Sequence, residues 1–183
     1  MIKEKQKRIE IGVVTKQGIS ENQVNTAYLG IGSNLGNKFL NIEKAKSFLY
    51  ENDIQIIKSS SYYETPSWPN PSFPKFINII IKIKTTLDYL DLFNVCKEVE
   101  KILGRKKSIK NSPRTCDIDL IDFNKKIINK EIQIPHKLMH KRNFVLFPLF
   151  EIDKAWKHPV LKKNIKKLIF SLPIKDIRSI KQI

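Results

Sequence analysis

At 183 residues the chain is long enough for one domain with a buried core and some additional sequence, without disulfide staples. Cys96 and Cys116 form no C-x-x-C or zinc spacing and fit a reducing cytoplasm as small apolar fillers. A formal charge of +16 raises nucleic-acid binding, but the lysines are scattered and rise together with isoleucine and asparagine, as a composition bias also would give; no stretch approaches the roughly 18 apolar residues of a membrane span.

Residues 1–25 are polar and lysine-rich, lack the apolar run of a secretory signal, and read as a flexible extension; the domain is expected over 26–183. Ala27 to Gly32 reads as a strand, and Asn37 to Tyr50 as a helix with Ile42, Ala45 and Leu49 on one face. Ile54 to Tyr63 is strand-like, four prolines restrain the loop Glu64 to Lys75, and Phe76 to Lys84 alternates as a strand. Leu92, Cys96, Val99 and Leu103 recur at helical spacing, with Gly104 as the stop. Arg105 to Pro113 is a loop leading into the strand Cys116 to Phe123. The order β-α-β-β-α-β matches the ferredoxin-like motif, an α+β fold. Beyond it, Ile127 and Ile128 with Ile132 to Ile134 predict a small hairpin, and Asn143 to Phe150 begins a helix. Asn164 to Leu172 reads as a short amphipathic helix and Asp176 to Ile183 as an edge strand or frayed end. Lys162, Lys163, Lys166 and Lys167 fall at helical spacing and read as a solvated face.

Asp117 and Asp119 are the most informative pair. On a strand they share a face, while Ile118 and Leu120 point into a core. Two carboxylates on one spot suit Mg²⁺, which takes one or two of them and fills its other positions with water and phosphates; Arg114 stands nearby as a planar donor. The pair alone also fits a solvated strand face.

Four other segments bear on it. Gly30, Gly32 and Gly36 follow the first strand, where backbone can approach a ligand closely, although Asn34 bonding its own backbone in a tight turn is the plainer reading. The spacing is not that of a Walker A loop. Trp68 and Phe73 in the proline-rich loop can stack on a flat heterocycle; Phe76 can stack or cap the core. Asn78 shares the Phe76 face within an apolar run, so it satisfies backbone groups or reads the polar edge of a ligand. His136 and His140 lack the glutamate of H-E-x-x-H, which disfavours zinc; with Arg142 and Phe144 they suit phosphate oxygens and a ring.

In order and spacing, AYLGIGSNLG at 27–36, SSYYETP at 60–66, FIN at 76–78, PRTCDIDLIDF at 113–123, IPH at 134–136 and RNFVLFPLFEI at 142–152 resemble the 6-hydroxymethyl-7,8-dihydropterin pyrophosphokinase family of folate synthesis. The resemblance covers residues 27–152. It implies a ferredoxin-like α+β fold with added C-terminal segments, ATP as donor, two Mg²⁺ ions, and transfer of pyrophosphate to the pterin hydroxymethyl group with release of AMP. It implies that Asp117 and Asp119 hold the metal and that Asn78 reads the pterin. Phe76 and Phe144 would sandwich the ring, Thr65 and Pro66 would meet its edge, and Asn34 would lie near the hydroxymethyl end. Arg105 and Arg114 would clamp phosphates, while Glu100, Lys107, His136 and Arg142 would serve ATP. A cytoplasmic monomer, with no nucleic-acid or membrane partner, is the expectation that follows.

The chain departs from the pattern in the Arg105 to Pro113 loop, where Lys107 stands in place of a second arginine and Asn111 and Ser112 precede the Pro-Arg pair. Lysine keeps the charge but loses the planar fork. Two other classes share parts of this pattern. A ferredoxin-like RNA-binding module would suit the charge, but its aromatic signature is missing and the aspartates would repel a phosphate backbone. A polymerase-like nucleotidyltransferase would also place two carboxylates on a strand.

Overall fold

A computed structural model describes residues 23–68, 70–105 and 112–183. Strand β1 (Asn25–Ser33) runs through the middle of an antiparallel sheet, between β4 (Phe76–Thr85) and β5 (Asp117–Phe123). It begins one residue before the expected domain start. Beyond β4 lie β2 (Gln55–Ser59) and β3 (Tyr63–Thr65), both paired to it, and β8 (Lys181–Gln182) covers the free edge of β3. With β4 lying between β1 and β2, the core has the split βαβ order expected of a ferredoxin-like sheet.

The single strand expected over Ile54 to Tyr63 is in fact two. The backbone N–H of Ser60 still donates to the Ile80 carbonyl at 2.9 Å, and its hydroxyl accepts from the Ile80 N–H at 3.0 Å. The serine side chain thus does the work of a ladder bond while the chain changes direction, a break that no glycine or proline announces.

Helices α1 (Lys38–Glu51) and α2 (Tyr89–Ile102) cover one face of the sheet. Asn37 caps α1 by accepting from the Leu40 N–H, and Asp88 caps α2 by accepting from Leu90 and Asp91. Their apolar stripes, Ile42, Ala45 and Leu49 on α1 and Leu92, Val95, Cys96 and Val99 on α2, meet Leu29, Ile31, Ile79, Ile81, Ile83, Ile118 and Leu120 in a continuous core. Burial pushes the thiols of Cys96 and Cys116 up to about 12, consistent with apolar filling.

The opposite face is only half covered. There α3 (Asn143–Ile152) and α4 (Ile165–Phe170) pack with Trp156 over Tyr28, Ile80 and Ile121 at one end of the sheet. The other end, bearing Gly32, Asn78 and Asp117, stays open, and this asymmetry positions the site.

The hairpin appears as β6 (Ile128–Asn129) and β7 (Gln133–Ile134). In the tail, Ile174–Ser179 forms helix α5, so the edge strand expected from Asp176 onward is confined to β8. The α5 backbone is tied down: Asn143 Nδ2 donates to the Asp176 carbonyl at 2.6 Å. Lys162 and Lys163 are exposed but precede α4, with Lys162 in a turn at φ 56°, so only Lys166 and Lys167 of that group lie on a helix.

Candidate active site

The register of three strands builds the floor. Gly32 lies between Asp117 on β5 and Asn78 on β4, and Gly30 between Asp119 and Ile80. Because side chains alternate along a strand, these residues all face the open side of the sheet. Two glycines in the middle strand remove the side chains that would otherwise fill the space between the carboxylates and the amide. The result is a cavity of about 220 Å³.

Cations crowd the carboxylates. Asp117 accepts from Arg105 Nη1 at 2.7 Å and pairs with Arg114 Nη1 at 3.0 Å; Asp119 pairs with Arg142 Nη1 at 2.9 Å. Burial alone would raise the Asp117 pKa, but Arg114 and Arg105 outweigh it and hold the carboxyl below the usual range. His136 stands farther off, with Nε2 3.9 Å from Asp119 Oδ2. Burial lowers the His136 pKa against the opposing pull of Asp119. Its Nδ1 accepts from the Leu138 N–H at 3.3 Å.

Glu100 reaches the site from behind. One oxygen accepts from Lys97 Nζ at 2.7 Å and from the Ile118 N–H at 2.6 Å, and the other pairs with Arg105. Lys97 also donates to the Ile118 carbonyl at 3.1 Å. Ile118 lies between the two aspartates on the outer strand β5, so Lys97 and Glu100 complete the hydrogen bonding that an edge strand lacks. Burial raises the Glu100 pKa, with Lys97 opposing. Lys97 lines the cavity and was not singled out from sequence. Its signal was available: it is one turn before Glu100, which itself falls i+4 from Cys96 on the buried stripe of α2.

The opposite wall is aromatic and amide. Asn78 Nδ2 donates to Thr65 Oγ1 at 3.0 Å, which fixes the amide plane. Phe76, Phe144, Pro66 and Trp68 also line the cavity, and the Arg142 guanidinium lies 5.4 Å from the Phe144 ring centre. Phe76 is half-buried at this wall, so it does not simply cap the core.

Of the residues singled out from sequence, Arg105, Arg114, Asp117, Asp119, Thr65, Pro66, Phe76, Asn78, Arg142 and Phe144 converge on one cavity. Asn34, Glu100 and His136 stand behind its lining. Lys107 and Asn111 lie outside the described residues. The tight-turn reading of Asn34 does not hold: its amide donates to Ser67 Oγ and the Pro74 carbonyl, both at 3.1 Å, and accepts from the Arg114 N–H at 2.7 Å. Asn34 therefore locks the glycine segment to the proline-rich loop and to the Arg114 turn.

The two carboxylates offer hard oxygen donors, and among the described residues no third histidine, cysteine or acid joins them in a metal-binding group. A pair with room for phosphates and water fits Mg²⁺ better than a structural cage would. The His140 ring meets that of His158 edge-on at 5.9 Å.

Comparison with known proteins identifies a family. The family described as 7,8-dihydro-6-hydroxymethylpterin-pyrophosphokinase (HPPK) matches residues 28–154. A 2-amino-4-hydroxy-6-hydroxymethyldihydropteridine pyrophosphokinase of Aquifex aeolicus is 38% identical over 143 residues, covering 78% of this chain and 89% of the relative. One of the same description from Bacillus subtilis is 35% identical over 130 residues, 70% of this chain and 78% of the relative. The Dictyostelium discoideum folic acid synthesis protein FOL1 is 37% identical, but the matched part spans only 23% of it. Among solved structures, the Plasmodium falciparum HPPK-DHPS wild type with pteroate superposes with a TM-score of 0.66 at 18% identity, over 81% of this chain and 42% of that one, a likeness of fold. The chain belongs to the 7,8-dihydro-6-hydroxymethylpterin-pyrophosphokinase family.

Proposed function

We propose that this chain transfers pyrophosphate from ATP to the hydroxymethyl group of 6-hydroxymethyl-7,8-dihydropterin, releasing AMP, in folate synthesis. The observation that carries the reading is the convergence of Asp117 and Asp119 with Arg105, Arg114 and Arg142 opposite the Asn78, Phe76 and Phe144 wall. Phosphoryl-type transfer depends on alignment and neutralisation of charge more than on a strong base, and this site supplies both.

Asn78, its amide plane set by Thr65, reads the polar edge of the pterin, with Phe76 and Phe144 on the ring and Thr65 and Pro66 at its rim. Asn34 acts by bracing the loops that close this side. The substrate hydroxyl oxygen bonds to the β-phosphorus as the bond to the oxygen bridging the α-phosphate breaks, and AMP leaves with that oxygen. Asp117, held below the usual carboxylate range by its arginines, orients the hydroxyl and is a weak base, so the proton departs late, to water. Arg105 and Arg114 grip phosphate oxygens, joined by Arg142 and His136 on the triphosphate, with Lys107 as a further contact. Glu100 holds Lys97 and Arg105 in place for the nucleotide. Asp117 and Asp119 would hold two Mg²⁺ ions, which when bound neutralise triphosphate charge. Residues 26–183 form a single pyrophosphokinase domain, and the protein works as a cytoplasmic monomer.

The test supplies ATP, Mg²⁺ and hydroxymethyl dihydropterin to the folded protein and identifies the products. AMP with pterin pyrophosphate supports the reading. Released pyrophosphate would point to nucleotidyl transfer, and no turnover would overturn the assignment.

A further inference from the structure

Next to the catalytic cavity lies a second and larger one, of about 960 Å³, at the upper end of the range of roughly 300 to 1,000 Å³ usual for small-molecule sites. The two share Thr65, Pro66, Trp68, Arg142 and Phe144. From that common wall the second extends to the C-terminal segments, where Leu161, Leu168, Leu172 and Pro173 give it an apolar side. Its charge is one-sided: Lys141, Lys163 and Lys175 line it together with Arg142, against the one carboxylate of Asp176 among the described residues. Trp68, at the junction, is 66% exposed, a large ring with one side open.

We propose that this second cavity is a binding site for a planar heteroaromatic ring carrying phosphates, and that its occupant is the pterin pyrophosphate made next door. This rests on the activity proposed above. An apolar wall with an exposed indole takes a ring face, and surrounding ammonium and guanidinium groups take an attached anion. AMP shares this chemistry. Apart from Arg142, however, the shared wall is the pterin side of the catalytic cavity; Arg105, Arg114 and Asp117 line only the catalytic cavity, and Lys97 lies with them there. The unphosphorylated pterin lacks the anion that the lysines would hold. Product alone therefore matches both parts of the second cavity and can reach it across Phe144 and Arg142.

The test is calorimetric titration of the full chain with pterin pyrophosphate and, separately, with AMP, in the wild type and in the double variant Lys163→Glu/Lys175→Glu. Both lysines are exposed and lie outside the catalytic machinery, so the variant should fold and keep its initial rate of AMP formation. The expected result is two equivalents of pterin pyrophosphate in the wild type and one in the variant, with AMP binding once to each. Inhibition by added product at saturating hydroxymethyl dihydropterin should also disappear in the variant. One equivalent in the wild type, or two in both proteins, overturns the proposal; a second AMP equivalent lost in the variant would make the cavity a nucleotide site and overturn it as well. Absence of AMP formation by the wild type is a separate result and strikes the activity assignment, because the stoichiometry is read without turnover.

Discussion

A Cβ on Gly32 would lie 2.8 Å from Asn78 Oδ1 and 3.4 Å from Phe76 Cδ1. The missing side chain of one strand is thus what leaves room for the Asn78 amide of the next. Gly32→Ala should displace Asn78 from Thr65 and raise the KM for the pterin on the order of tenfold, equivalent to about 1.4 kcal/mol. Gly30→Ala meets no amide, only the side chains of Ile80, at Cδ1 3.3 Å away, and Ile121, at Cδ1 3.4 Å and Cγ1 3.6 Å away. It should be tolerated. Steady-state kinetics on both variants decide the matter, and equal KM values would show that the close approach has no part in binding.

Asp117→Ala and Asp119→Ala should each lower kcat by about a hundredfold or more, the scale of losing a group that stabilises transition-state charge. The arginines they leave are partly exposed and can rehydrate, so melting temperatures should move by no more than about 4 °C. AMP release and thermal melts on the same preparations separate the two effects. Near-normal turnover in either variant would reduce this face to solvated surface.

Glu100→Gln should cost stability rather than chemistry alone. The glutamate side chain is 2% exposed while Lys97 and Arg105 are 37% and 32% exposed. Both cations can therefore turn to water, and the amide oxygen can still accept from the Ile118 N–H. A loss of about 1 to 3 kcal/mol in urea unfolding is expected, together with weaker ATP binding as Arg105 loses its anchor. Unchanged ATP affinity would limit Glu100 to finishing the strand edge.

His158 gives the fold an acid sensitivity. Its Nδ1 accepts from the Val160 and Leu161 N–H groups, both at 3.2 Å. Burial, then the neighbouring His140, lowers its pKa to about 4. Between pH 6.5 and 4 the unfolded chain binds a proton that the native one refuses, so stability falls as the pH drops through that window, by up to about 3 kcal/mol. His158→Asn keeps an acceptor for the two N–H groups and removes the titration. Urea melts at pH 7 and pH 4.5 should show a smaller acid loss in the variant.

The core helices, the long strands and most of the cavity lining were readable because each rests on local pattern. The Leu92, Cys96 and Val99 stripe of α2 and the alternation around Asp117 and Asp119 are kept in the fold, while Leu103 falls at the C-cap. Tertiary partners were less legible. Nothing in the serine run at 59–61 signals that a hydroxyl will replace a ladder bond, and the turn chemistry of Asn34 suggested a local bond where three distant segments meet. The tail was ambiguous because β8 has only two residues, and its pairing depends on where β3 ends up rather than on its own pattern.

That pairing gives the last residues reach beyond their size. Tyr63 and Glu64 pair with Gln182 and Lys181, the Ile183 N–H donates to the Tyr62 carbonyl at 3.0 Å, and Gln182 Nε2 donates to Ser61 Oγ across 121 residues of sequence. One residue beyond Glu64 is Thr65, the partner that orients Asn78. Residues 181–183 are therefore a handle on the wall that carries Thr65 and Asn78. A surface linkage or bulky label placed on them should be felt at Asn78, so immobilisation chemistry is better directed to the exposed Lys44 on α1.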